Sequence, residues 1–236
     1  MGRILPIFFN GDMVRAILDG SKTVTRRSVR YKYNNTEMKM RTDKYGTRLI
    51  EIQKNIEGKT HGKNPDGSTW QKLLPYIEKN APYKIGDILY VRETWAFVPC
   101  IECMQDDDGK CLCNKEPVIH EDKYSVSEGC FVYRADCPEE DKGRIIWSPS
   151  IHMPKQAARI WLDVTDVSVE RLKDISTRGC YHEGVDISNG GAFRRFAETW
   201  DSTIKKTEID RYGWRANPWV WVIRFLRCGK PEMEGT

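Results

Sequence analysis

The pattern of apolar and polar positions predicts several short strands and a few helices. Apolar, β-prone runs predict strands over residues 4–9, 88–97, 130–134, 158–169 and 219–226. Apolar residues recur at helical spacing over residues 12–19 and 191–204, which predicts two amphipathic helices. Because strands and helices do not alternate regularly, the pattern favours an α+β fold.

A short polar segment follows the first predicted helix. Residues 22–27 read Lys-Thr-Val-Thr-Arg-Arg and are β-prone. On a strand, Thr23, Thr25 and Arg27 share one face and the intervening residues share the other. The segment therefore presents a potential nucleophile beside hydrogen-bond donors. By itself it has two interpretations, which are a site and an edge strand whose cations are solvated.

Two stretches interrupt the pattern of predicted strands and helices. Residues 31–80 include the polar, glycine-rich run 58–68 and are interpreted as a basic loop, with a short helix over 70–76. The cysteine-rich stretch 100–113 interrupts the β-prone run that starts at residue 88, and β character resumes over residues 130–134. A tail is predicted over residues 229–236.

Length and composition restrict the class of protein. The chain has 236 residues, of which 39% are hydrophobic and 31% charged. No apolar run approaches the ~20 residues that span a bilayer, and the N-terminus lacks the pattern of a signal peptide. These observations predict a soluble, cytoplasmic protein without a membrane partner.

The formal charge of +4 is an average over two unlike parts of the chain. Residues 22–48 carry a local charge of +7, whereas the remainder carries −3. Tyr31, Tyr33 and Tyr45 lie among these cations, a combination that suits phosphate backbones and stacked bases. The alternative interpretation is a solvated loop without a ligand.

Four of the eight cysteines have the spacing of a metal site. The order C-x2-C-x7-C-x-C places four thiols within fourteen residues, at Cys100, Cys103, Cys111 and Cys113. Four thiolates would complete a tetrahedral zinc site with no open position, so the predicted cofactor is structural zinc. Free thiols are the alternative, and the other four cysteines show no comparable spacing.

Several blocks of the sequence, in order, resemble ASCH-domain proteins, a β-barrel superfamily related to PUA RNA-binding domains. The first block is Gly20-Ser-Lys-Thr-Val-Thr-Arg-Arg27, and the others are residues 83–95, 150–154, 159–170 and 217–225. The last blocks are most similar to long ASCH proteins common in phages and prophages. The resemblance implies one domain over residues 1–228, a PUA-like mixed β-barrel with flanking helices and insertions at 31–80 and 99–142.

The resemblance also implies a function, which is the recognition of RNA or of a modified nucleoside. Some short bacterial ASCH proteins are amidohydrolases that remove the acetyl group from N4-acetylcytidine. Their catalytic Lys and Thr fall on Lys22 and Thr25 here, and their Glu falls on Glu183.

The implied chemistry is consistent with these residue types. A threonine hydroxyl needs a base, and like-charge repulsion from Arg26 and Arg27 would lower the pKa of Lys22 toward that role. A protonated Glu183 would give the leaving amine its proton. His182, beside Glu183, is an alternative acid or base.

Further residues are expected to bind the substrate or nucleic acid. Arginines bind phosphates and oxyanions through charge-assisted hydrogen bonds. His152 lies between two proline-bounded turns, where it could contact a ligand. The residues just before the last strand are expected at the rim of a binding cleft. The expected set is Arg26, Arg27, Arg30, Arg92, His152, Trp214 and Asn217.

Two other functions remain open at this point. One is a non-catalytic, phage-encoded module that binds nucleic acid, RNA rather than DNA, through the basic segment. The other is a module that contacts a protein of the bacterial host cell. It would do so through the cysteine-rich hairpin that Cys100, Cys103, Cys111 and Cys113 would form around zinc. The first predicts binding that weakens steeply with salt.

Overall fold

A computed structural model describes residues 2–31, 36–43, 46–53, 81–99, 118–121 and 126–232. Its strands are β1 Ile4–Phe8, β2 Val24–Ser28, β3 Thr36–Asp43, β4 Gly46–Gln53, β5 Ile88–Arg92, β6 Trp95–Pro99, β7 Val118–Glu121, β8 Val126–Tyr133, β9 Trp161–Arg171 and β10 Trp219–Cys228. Its α-helices are α1 Gly11–Leu18, α2 Thr177–His182, α3 Ala192–Ser202 and α4 Ile209–Tyr212. The predicted α+β class is confirmed, and the described strands form sheets that do not close into a barrel.

The chain divides into two compact units. The first contains Met1–Lys22, Asp87–Asp163 and Leu226–Thr236, and the second contains Thr23–Gly86 and Val164–Phe225. Strands β9 and β10 each contribute residues to both units. Within the described residues, no helix is long and apolar enough to cross a membrane.

The first unit is built on aromatic packing between strands. β1 runs parallel to β5, and β5 pairs antiparallel with the start of β9. β6, β8 and β7 form an antiparallel sheet in that order. A Cβ atom on Gly129 of β8 would lie 2.5 Å from the ring of Phe97 on β6, so this close ring–backbone packing requires glycine.

Helix α1 of the first unit, Gly11–Leu18, lies within one residue of the predicted bounds 12–19 at each end. The side chain of Asn10 accepts a hydrogen bond from the backbone N–H of Met13, which satisfies one unpaired donor of the first turn. Gly20 has a φ of +83°, the left-handed conformation that commonly follows a helix and favours glycine. The backbone N–H of Lys22 then donates to the carbonyl of Ala16.

The second unit places α2 and α3 against a sheet with the order β9, β10, β2. Its core lies between these elements and includes Val24 of β2, Val222 of β10, Cys180 of α2 and Trp200 of α3. The indole N–H of Trp200 donates to the carbonyl of Tyr212 at 2.8 Å, so burial of this ring leaves no polar atom unsatisfied.

Part of the segment expected to be a basic loop is an antiparallel hairpin, which corrects that expectation. β3 and β4 pair along their whole length, and Met38, Leu49 and Ile50 are buried. The indole N–H of Trp219 donates to the carbonyl of Met38 and so attaches the hairpin to β10. The predicted short helix over residues 70–76 lies outside the described residues.

The strand predicted over residues 88–97 is two strands. β5 ends at Arg92 and β6 begins at Trp95, so Glu93 and Thr94 break the run. The carboxylate of Glu93 accepts two hydrogen bonds from Arg159, at 2.9 and 3.0 Å, and only 1% of the residue is exposed.

Candidate functional site at strand β2 and helix α2

Strand β2, which contains the end of the block Gly20–Arg27, pairs antiparallel with β10. Thr25 lies opposite Ile223, and Arg26 lies opposite Val222. Adjacent residues of a strand point to opposite faces, so Thr25 and Arg26 project in opposite directions. Both are buried, with exposed fractions of 4% and 8%. A hydroxyl and a guanidinium therefore lie inside the second unit within one short strand.

Arg26 is held by two carboxylates. Its Nε donates to Oε1 of Glu170 at 2.8 Å, and its Nη1 donates to Oε1 of Glu183 at 3.1 Å. Buried charges are stable only when they are paired and hydrogen-bonded, and this network meets both conditions. It connects β2 to β9 and to the C-terminal end of α2.

Glu183 is positioned by the way in which α2 ends. It is the C-cap, and Gly184 follows it in the left-handed region with a φ of +85°. The N–H of Gly184 donates to the carbonyl of Tyr181, and the N–H of Val185 donates to that of Cys180. These two hydrogen bonds together form the Schellman motif, which fixes the backbone that carries Glu183.

We expect Gly184→Ala to lower the free energy of unfolding by about 1 to 2 kcal/mol, because a Cβ atom disfavours the left-handed conformation. Urea denaturation measures the change. Gly229→Ala is the matched control, since its φ is not in the left-handed region and no atom lies within 4 Å of an added Cβ. An equal effect of the two changes would contradict the prediction.

His182 is hydrogen-bonded to Thr23 through both its backbone and its side chain. The N–H of Thr23 donates to the carbonyl of His182, and Thr23 Oγ1 lies 3.1 Å from His182 Nδ1. The Nε–H of Arg178 donates to the other ring nitrogen, Nε2, at 3.3 Å. Because Nε2 accepts, a neutral imidazole carries its proton on Nδ1 and donates it to Thr23.

Arg27 projects with Thr25 on the other face of β2. Desolvation lowers the pKa of Arg27, and the nearby charges of Tyr83 and Glu183 partly offset this effect. Burial raises the pKa of the Tyr83 hydroxyl, and the Arg27 charge opposes that rise. Arg27 is thus electrostatically coupled to Glu183, one of the residues of the implied catalytic set.

A cavity of about 330 Å³ opens beside β2 and α2 in the second unit. Its lining is mostly polar and includes three guanidinium groups, one imidazole and two carboxylates. The lining residues are Val24, Arg26, Glu170, Asp174, Ser176, Arg178, Gly179, His182 and Arg224.

The predicted catalytic residues fall in both units. Thr25 and Glu183 belong to the second unit, whereas Lys22 is the last residue of the first segment of the first unit. Lys22 is only 2% exposed, and its Nζ lies 5.4 Å from the centre of the Phe9 ring.

The other predicted binding residues of the second unit have structural partners. Arg30 is exposed, pairs with Glu208 at 2.7 Å and lies over the Tyr212 ring. Trp214 packs by its edge against Phe196. Asn217 adopts a left-handed turn, and its side chain accepts a hydrogen bond from the backbone N–H of Lys173.

Arg92 and His152 belong to the first unit. Arg92 Nη1 donates to the carbonyl of Ile151, and its guanidinium lies near the rings of Phe8 and Tyr90. His152 is exposed in a short 3-10 helix, Ser150–His152. The interactions of Arg92 are therefore those of a packing residue at the end of β5.

Sequence reasoning missed Glu170 and Arg178 as members of this site. Glu170 contacts Arg26 from 144 positions away, so its role has no local signal, whereas Arg178 contacts His182 at the (i, i+4) spacing of one helical turn. Cys180 lies next to the site, but burial raises the pKa of its thiol, which makes it a poor nucleophile.

The predicted zinc ligands Cys100, Cys103, Cys111 and Cys113 lie outside the described residues. Within the part of the chain that is described, no cluster of three or more histidine, cysteine, aspartate or glutamate side chains is arranged to hold a metal ion.

Comparison of the chain with protein-family models, with curated proteins and with solved structures found no significant match.

Proposed function

We propose that the protein is an ASCH-type member of the PUA-like class that binds a modified nucleoside and hydrolyses its N4-acyl group. One observation carries the proposal: the threonine and the glutamate of the implied catalytic set are both buried in the second unit, at β2 and at the end of α2. Glu183 is hydrogen-bonded to Arg26, which follows Thr25 on β2 and projects from the opposite face of the strand.

Burial of these groups supports a site because it is unfavourable without a compensating role. Thr25, Arg26 and Glu183 are each less than 9% exposed. Removing such groups from water costs free energy, and groups of this kind concentrate at functional sites. The competing explanation is a structural ion-pair network, and the experiment below separates the two.

In the proposed reaction, Thr25 Oγ1 attacks the acyl carbonyl while its proton passes to the neutral amine of Lys22. The base must be the neutral amine, because an ammonium has no lone pair with which to accept the proton. The tetrahedral intermediate collapses, the C–N bond breaks, and Glu183 gives its proton to the leaving nitrogen; at this step Glu183 must be in its protonated form and not the ionised partner of Arg26. Water then attacks the acyl-threonine ester and gives one proton to Glu183, the ester C–O bond breaks, and the proton held by Lys22 returns to Thr25 Oγ1 as the carboxylic acid is released.

The test is release of acetate from N4-acetylcytidine by the purified protein. We expect Thr25→Ala and Lys22→Ala to lower kcat by at least about a hundredfold, because each removes a chemical step. Thr165→Ala, an exposed threonine on β9, is the matched control and should leave the rate unchanged. No turnover, or equal turnover by the Thr25 variant, would overturn the hydrolase proposal.

A second candidate function is nucleic-acid binding by the β3–β4 hairpin. Its register places Arg41 directly opposite Arg48, and Lys39 shares their face. Like charges in facing positions destabilise a sheet, and a bound phosphate backbone would relieve that repulsion. Arg41→Gln should weaken binding of a short RNA and reduce the steepness of its salt dependence. Salt-independent binding would exclude this mode.

We also propose that the four clustered cysteines hold structural zinc, on the spacing of the sequence alone. Metal analysis of the purified protein should give about one zinc per chain. Cys103→Ser should lose most of that metal, whereas Cys228→Ser, a single change at an unclustered cysteine, should retain it. Equal zinc content in the two variants would contradict the assignment.

A further inference from the structure

The cavity beside β2 and α2 holds three arginines whose partners differ. Arg26 is neutralised by two carboxylates, and Arg224 lies 3.6 Å from Asp166. Arg178 contacts no carboxylate among the residues that the structure describes, and its hydrogen bond there is to the neutral ring of His182. Arg178 is therefore the lining cation whose charge is least compensated.

Ser176 adds a second donor to the same wall. Its Oγ accepts a hydrogen bond from the backbone N–H of Gly179, so the hydroxyl proton remains for another acceptor. The carboxylates of the lining are Glu170, which pairs with Arg26, and Asp174. Because Glu170 and Glu183 pair with Arg26 and Asp166 pairs with Arg224, the excess positive charge of the lining is local to Arg178.

We propose that this cavity binds the phosphate of a phosphorylated nucleoside, with Arg178 and Ser176 as its donors. The proposal rests on the proposed function for the nucleoside part of the ligand, and it names a phosphorylated form as the ligand. A guanidinium binds phosphate through two parallel, charge-assisted hydrogen bonds, which are about twice as strong as a bond to a neutral acceptor. Phosphate therefore replaces His182 as the partner of Arg178.

Replacing His182 by phosphate as the partner of Arg178 changes which ring nitrogen of His182 carries the proton. While Arg178 donates to Nε2, the imidazole proton must lie on Nδ1, where it is donated to Thr23. When Arg178 turns to a phosphate, Nε2 becomes free to carry the proton. Nδ1 then accepts the hydroxyl proton of Thr23, so that donor and acceptor exchange roles. The tautomer of the His182 ring therefore indicates whether phosphate is bound at this site.

The experiment combines binding with NMR of the histidine ring nitrogens. Cytidine 5′-monophosphate, inorganic phosphate, unmodified cytidine and a short oligocytidine are titrated into the full chain. We expect the monophosphate to bind at least about tenfold more tightly than cytidine, and the His182 ring to change from the Nδ1–H to the Nε2–H form. A preference for the oligonucleotide over the monophosphate would assign the site to backbone diesters.

Arg178→Gln provides the decisive comparison. We expect it to weaken monophosphate binding about tenfold or more and to shift the His182 ring toward Nε2–H without ligand. Arg194→Gln, an equally exposed charge removal on α3, should do neither. Equal binding by the two variants, or an unchanged His182 tautomer on phosphate addition, would overturn the proposal. Phosphate binding with these signatures in a protein that does not hydrolyse N4-acetylcytidine would refute the hydrolase proposal alone.

Discussion

Arg26→Met is expected to lower the free energy of unfolding by about 3 to 5 kcal/mol, because it removes the cation that is hydrogen-bonded to the buried carboxylate of Glu183 and to Glu170. The side chains of Arg26 and Glu183 are only 6% and 7% exposed, so water cannot take the place of the lost partner. Urea denaturation followed by circular dichroism measures the change. Methionine keeps much of the volume, which limits any contribution from a cavity.

Two comparisons identify the cause of that loss. Arg194→Met removes an arginine whose pair with Glu198 is exposed, and it should cost less than about 1 kcal/mol. Adding Glu183→Gln and Glu170→Gln to Arg26→Met should recover part of the stability, since no uncompensated charge then remains. If the triple variant is no more stable than Arg26→Met, packing rather than charge explains the effect.

Glu93→Ala is expected to lower the free energy of unfolding by about 3 kcal/mol. Glu93 is buried and receives two parallel hydrogen bonds from Arg159, which would be left with its remaining partner Asp136. The same denaturation measurement applies.

The control for Glu93 uses the other carboxylate of the same arginine. Asp136 also pairs with Arg159, but its side chain is 47% exposed. Asp136→Ala should therefore cost less than about 1 kcal/mol. Glu93→Gln keeps the volume and removes the charge, so we expect a loss of about 2 kcal/mol from that variant. Equal losses from Glu93→Ala and Asp136→Ala would show that burial does not govern this network.

Elements with strong local signals could be predicted from the sequence. Helix α1 has its apolar spacing, an asparagine cap and a glycine after its end, and each of these acts within a few residues. Strand β10 is a long β-prone run, so its existence did not depend on knowing its partners.

Elements whose stability comes from distant contacts were missed. In the β3–β4 hairpin, Met38 and Leu49 are separated by cations, so the segment has the composition of a polar loop. The break at Glu93 was missed because the surrounding residues keep their alternation, and the reason for the break is Arg159, 66 positions away.

The candidate site also contains residues that the sequence predicted and contacts that it did not predict. Thr25 and Glu183 were predicted from a resemblance of short sequence blocks. The bond between Thr23 and His182 joins residues 159 positions apart, and the contact of Arg178 with His182 depends on one turn of a short helix. No local pattern encodes the first of these interactions, and the second could be predicted only once helix α2 itself was known.

The partner of β2 also determines the order in which the second unit folds. β2 pairs with β10, whose residues lie between 192 and 200 positions later in the chain. Contacts of such high sequence separation form slowly, and during synthesis β2 must wait for nearly the whole chain to emerge. The β3–β4 hairpin, whose paired strands are adjacent in the sequence, can form much earlier. A ribosome-bound chain that stops before β10 would therefore present Thr25 and Arg26 on an unpaired strand edge, the state most exposed to aggregation.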